Sequence, residues 1–300
     1  PVMVKPPSPD VAMLVTAGAP DTAVTLRWFE PYQERTPTKA EVRKNLVEQL
    51  GAGIVARRMQ GINEAAGKPA AFIGSASPSA ITHVWNGEMA SSGRVTDVAK
   101  TIDVMVKAHR QAIEFGVTQE ELDRQISLRL DASKREAERG RTGTSVSLVE
   151  SALDYIDADV PFVSLQQSYA LLVEQVPTIT LAEVNAALKA RFTDKPMLTY
   201  RGSEAPKGGE AGLRSAFAAA MAAPISAYKP DAVKPWPYTD FGKPGVVASR
   251  ELVADLNVTK VAYENGVKLT IKPMPTNKDL ISVRVRMGWG RLQMPMNVID

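Results

Sequence analysis

Apolar and polar residues alternate from position 24 to 29, Val-Thr-Leu-Arg-Trp-Phe, and the run stops at Glu30-Pro31, which predicts a half-buried strand. Thr38-Lys-Ala-Glu41 then forms a capping box, in which the threonine hydroxyl and the glutamate three residues on satisfy each other's orphan amides. Val42, Leu46, Leu50, Ile54 and Met59 follow at helical spacing as far as Gly67, although Gly51 and Gly53 weaken the middle by about 1 kcal/mol each relative to alanine. Ala70 to Ser75 and Ala80 to Met89 read as two strands of a hairpin turning at Ser77-Pro78-Ser79. Helical periods then dominate. Val98, Ile102, Met105, His109 and Ala112-Ile113 draw one apolar stripe that Gly116 terminates.

Thr118-Gln-Glu-Glu121 restarts the chain as a second capping box, followed by Leu122, Ile126 and Leu130, with Gly140 and Gly143 as interruptions. Val146, Val149, Leu153 and Ile156 mark a further helix, and Ser164 to Val173 another. Thr180-Leu-Ala-Glu183 is a third box and opens a helix to Phe192, after which Met197 to Arg201 returns as a strand. Because the helices are clustered, the chain lacks the strict alternation of a parallel sheet. The fold class expected is α+β in two layers, a mostly antiparallel sheet with helices packed on one face, over residues 1–201.

From 202 to 248 Pro, Gly and Ala dominate, including an Ala-rich stretch at 215–223 and Lys234-Pro-Trp-Pro-Tyr238, so a linker is expected. Trp236, Tyr238 and Phe241 give it an apolar surface to lay on a domain. Beyond it, Lys260–Tyr263 and Val267–Ile271 flank Glu264-Asn265-Gly266, the strongest short hairpin signal a sequence carries. Leu280 to Met287 alternates as a further strand. Residues 249–300 thus read as the first strands of an incomplete α+β domain, and such a fragment is marginal alone. A partner surface is expected to cover it, supplied by the rest of the same polypeptide or by a second copy in a homodimer. Pro1 at the start and the absence of a stop signal near Asp300 suggest a piece of something longer.

Composition removes several kinds of chemistry. The 300 residues include no cysteine, which rules out disulfides, thiolate catalysis and cysteine-ligated metals. Lys and Arg number 36 against 33 Asp and Glu, a net +3 with the signs interspersed, and no basic stripe marks a nucleic-acid surface. No apolar run approaches the ~20 residues of a membrane span. The two histidines, His83 and His109, lie on apolar faces and read as packing residues. No G-x-S-x-G, H-E-x-x-H or H-x-x-E-H occurs. Asp154, Asp157 and Asp159 crowd together without the glycine and closing glutamate of a calcium loop, so a solvated helix end is expected. Glu120 and Glu121 suit the dipole of a helix start, and Lys134–Arg141 mixes charges as a solvated face does. Gly51-Ala-Gly53 and Gly208-Gly209 lack the spacing and lysine of a phosphate loop. No catalytic, cofactor-binding or metal-ligating residue is assigned.

The order of segments resembles the insulinase/pitrilysin family of zinc metallopeptidases. Arg57-Arg58-Met59 is similar to that family's arginine-containing helix end, and Gly116-Val-Thr-Gln-Glu-Glu-Leu-Asp123 to its recurrent helix junction. Val176-Pro-Thr-Ile-Thr-Leu-Ala-Glu-Val-Asn185 resembles the lead into the last helix. Glu264-Asn-Gly-Val-Lys-Leu269, followed by Val283-Arg-Val-Arg-Met-Gly288, resembles the hairpin that opens each half of these enzymes. The resemblance implies homologous α+β domains in two halves that close around unfolded peptides, with zinc held by an inverted H-x-x-E-H motif in the first domain. This chain looks like the second domain, the linker and the first strands of the third. The implied role is a non-catalytic wall and hinge of the peptide chamber in a zinc-dependent metalloendopeptidase whose zinc site lies outside this chain. Peptides or unfolded proteins are the implied substrates, and a periplasmic or membrane-associated location follows from the family. A non-catalytic assembly module of the same fold is the alternative.

Overall fold

The computed structural model describes residues 10–31, 38–81, 84–139, 149, 152, 153, 156, 161–192, 195–229, 239–274, 281–286 and 288, with side chains undescribed at 30, 31, 75–81, 84–86 and 139. Five strands form the first sheet: β1 (Val11–Val15), β2 (Ala23–Pro31), β3 (Ala70–Ile81), β4 (Val84–Val95) and β5 (Met197–Gly202). Their spatial order is β1-β5-β2-β4-β3, antiparallel except for the β1/β5 pair. The helices that accompany them include α1 (Lys39–Ala65), α2 (Val98–Phe115), α3 (Gln119–Arg139), α4 (Leu165–Gln175), α5 (Leu181–Phe192) and α6 (Gly209–Ala222). The alternation read from positions 24–29 puts Val24, Leu26 and Trp28 on the helix side, where they are buried with Met89, Leu198 and Tyr200. On the other face Arg27 sits opposite Glu88 in the register and pairs with it at 3.1 Å. The α+β two-layer class is therefore the observed one.

Local hydrogen bonds start the helices where the boxes predict. Glu41 N–H donates to Thr38 Oγ1 at 3.2 Å. The other two boxes are reciprocal: Thr118 N–H and Thr180 N–H each donate to the carboxylate three residues on at 2.9 Å, and Glu121 N–H and Glu183 N–H each return a bond to the threonine hydroxyl at 3.3 Å. Gly116, at φ 76°, ends α2 in the left-handed region that favours glycine. Of the two glycines that weaken α1, Gly51 has a packing reason, since a Cβ there would come within 2.9 Å of Leu188 Cγ on α5.

Three expectations need correction. Ser77-Pro78-Ser79 is not the hairpin turn: β3 continues to Ile81, which pairs with Val84, and the serine-proline segment falls at a register shift between Ala76 and Ser79. A proline is tolerated there because β3 is an edge strand and the irregularity relieves the ladder. The expected linker over 202–248 contains α6, whose Leu213, Phe217 and Ala220 are buried against the same core. Residues 207–223 hold no proline and several alanines, so the segment propagates as helix once Gly208, at φ 77°, has turned the chain.

The strand expected over 280–287 carries no secondary structure at 281–286, and Ile281, Val283 and Val285 are exposed. The second sheet instead recruits an upstream strand, giving the order β6-β7-β8 from β6 (Val247–Val253), β7 (Val258–Tyr263) and β8 (Lys268–Ile271), with Asn265-Gly266 at the hairpin. The sequence pattern also leaves out β1, a fifth strand with no alternation to announce it. Of the helix expected over 146–156, Val149, Leu153 and Ile156 are helical and exposed, while Val146 lies outside the described residues.

Candidate functional site

A buried polar constellation joins the end of α1 to the start of α3. Arg58 is 2% exposed, and its guanidinium grips Glu121 with two bonds of 2.6 Å, from Nε to Oε1 and from Nη2 to Oε2. Nη2 also donates to the Gly116 carbonyl at 3.0 Å, the ring centroid of Tyr228 lies 4.9 Å from Cζ, and Nη1 makes no hydrogen bond. Burial raises the Glu121 carboxyl, but the bonds from Arg58 and Thr118 outweigh it and hold the group below its usual value. With both carboxylate oxygens engaged, the pair fixes the junction and has no free oxygen for chemistry. Glu121 thus does more than suit a helix dipole, whereas Glu120 stays at the surface with Arg124.

His109 occupies the core between sheet and helices. Its ring centroid is 4.9 Å from that of Trp28, and the Phe192 ring meets Trp28 edge-on at 4.8 Å. Nε2 lies 2.6 Å from the Phe192 carbonyl, which assigns the proton to Nε2, and the buried Nδ1 has no partner. Desolvation, helped by Arg110, lowers its pKa; the Phe192 carbonyl and Glu114 only partly offset this.

The unfolded chain therefore takes up a proton near pH 6.5 that the folded one refuses, so His109 should cost the domain stability as pH falls from about 7 towards 5. Urea midpoints for the wild type and His109→Gln at pH 8 and pH 5.5 read this directly. The midpoint difference between the two pH values should shrink in the variant, and an unchanged difference would contradict a neutral buried imidazole.

The remaining candidates divide as follows. Lys134, Arg135, Glu136 and Glu138 are exposed along α3. The side chain of His83 and all of Asp154, Asp157 and Asp159 lie outside the described residues. A cavity of about 580 Å³ opens between α1, α3 and α4, lined by Val42, Leu46, Arg129, Val163, Leu172 and Gln175. Zinc needs three or four close His, Asp or Glu donors. No such group of three exists among the described residues, and His109 has committed Nε2 to a backbone oxygen within an aromatic cluster. The described donor set does not fit zinc.

No family model and no curated protein matches this sequence. Solved structures do. The periplasmic protease PqqL from Escherichia coli superposes with a TM-score of 0.60 at 13% identity over 87% of this chain and 29% of that one. The first half of PqqL alone gives 0.61 at 12% identity, over 73% of this chain and 48% of the other. A predicted insulinase family protease from Yersinia pestis gives 0.61 at 16% identity, over 72% and 47%. The chain has the insulinase-family peptidase fold. It spans less than half of each of these structures. Within the insulinase-like domain, the Arg58–Glu121 pair lies at the arginine-containing helix end and helix junction that carry the sequence resemblance. No helix among the described residues is long and apolar enough to cross a membrane.

Proposed function

We propose that this chain is the non-catalytic wall and hinge of the peptide chamber of a zinc-dependent metalloendopeptidase, with the zinc held elsewhere in a longer polypeptide. The supporting observation is the change in overlap with PqqL: 87% of this chain aligns with the whole protease but only 73% with its first half. A chain that runs from the end of one half into the next would give that difference. Its sheet then offers two edges, β1 and β3, and an extended peptide lying along an edge is held by main-chain bonds with broad sequence tolerance. The second sheet exposes Leu252, Leu269 and Ile271, apolar surface that the rest of the polypeptide or a second copy would cover. The periplasmic setting of PqqL supports the same compartment here.

Hydrolysis of an unfolded, fluorescently quenched peptide tests the proposal. The 300-residue chain alone should cleave nothing, and the longer polypeptide should cleave in a chelator-sensitive way. Chelator-sensitive cleavage by the chain alone would overturn it. A longer polypeptide that cleaves nothing and carries no zinc would point to an assembly module.

A further inference from the structure

Between α6 and the second sheet, the segment 223–229 has its backbone tied down by two side chains of α2 and its Tyr228 ring set against α1. Arg110 Nη1 of α2 donates to the Ala223 carbonyl, and Gln111 Nε2, next on the same helix, donates to the Ser226 carbonyl at 2.9 Å. Gln111 is 3% exposed, and a buried amide on a helix needs a reason to be there. Two residues further on, Tyr228 lays its ring over Arg58, and a Cβ on Gly61 of α1 would meet the Tyr228 hydroxyl at 3.3 Å. The three anchors fall within six residues and span from α2 to α1. Further along, every described residue from 239 to 250 is exposed.

We propose that residues 223–229 form a strap that belongs to the first domain and takes no part in the hinge. Gln111 and Arg110 are positioning residues that clamp the strap, and Tyr228 closes the open side of the Arg58–Glu121 pair. This deepens the hinge reading of the proposed function by excluding residues 223–229 from the hinge. Its test reads the strap alone, so it can fail while the zinc result stands, and the reverse.

Limited proteolysis of the full 300-residue chain with chymotrypsin, followed by mass spectrometry, compares two bonds of similar chemistry. The Phe241–Gly242 bond, with Phe241 83% exposed, should be cut at least about tenfold faster than Tyr228–Lys229, because a protease needs an extended, released backbone. In Gln111→Ala, and in Arg110→Ala as an independent variant at a less buried residue, the Tyr228–Lys229 rate should rise severalfold while Phe241–Gly242 is unchanged. Equal rates at the two bonds in the wild type would overturn the strap without any variant. So would a Tyr228–Lys229 rate that neither substitution moves in a chain whose circular dichroism is intact.

Discussion

Arg58→Met should destabilise the first domain by about 3–5 kcal/mol, the range found when one partner of a buried ion pair is removed and the other left without compensation. Arg58 and Glu121 have side chains only 2% and 14% exposed, so water cannot replace the lost guanidinium. At about 2–4 °C per kcal/mol for a domain of this size, the melting temperature should fall by roughly 10 °C. The double variant Arg58→Met/Glu121→Gln keeps an acceptor for Thr118 and removes the stranded charge, so it should recover more than half of the loss. Acid separates the effect further. The folded Glu121 pKa lies below the unfolded value, so the pair's contribution is complete above about pH 4.5 and is lost as pH falls through the folded value. A loss under about 1 kcal/mol for Arg58→Met would place the pair in the class of solvent-screened bridges and contradict its burial.

Phe217→Ala should cost about 3–5 kcal/mol, as large-to-small changes at buried aromatic positions do. Phe217 is 2% exposed on a helix where composition alone suggested a linker. A residue in a linker would tolerate alanine with a change within about 0.5 kcal/mol, so urea denaturation of this one variant distinguishes a core helix from a tether. The cost should appear in the transition of the first domain, since α6 packs on α2. It should leave the β6-β7-β8 sheet unaffected.

Features written locally were readable in the sequence, and those written across the chain were not. Thr38, Thr118 and Thr180 each act on a residue three positions away, and Asn265-Gly266 closes its own hairpin, so spacing sufficed. The stripe Ile102, Met105, His109 and Ala112 was legible as one buried face of α2. Val104, Ala108 and Gln111 are buried as well; α6 packs on α2 and Gln111 bonds the strap, and no period along α2 signals a cover that arrives a hundred residues later. Arg58 and Glu121 are 63 positions apart, and nothing in a run of arginines or a helix-start glutamate names its partner. β1 finds β5 in parallel across a still longer stretch of chain, with Val11 against Leu198. Pro78 marked a break correctly, but whether a proline makes a turn or an irregular edge depends on the neighbouring strand.

The candidate site divides in the same way. The lack of thiols and of a paired-histidine motif was plain from composition, and it led away from a metal centre in this chain. The ion pair that locks the helix junction, and the strap beside it, emerged only with the fold.

The most direct test of a housing that leaves catalysis to another part of the polypeptide is metal stoichiometry by inductively coupled plasma mass spectrometry. After dialysis against zinc-containing buffer and desalting, the 300-residue chain should retain far less than one zinc per molecule, while the longer polypeptide should retain about one. One tightly held zinc in the 300-residue chain would contradict the account.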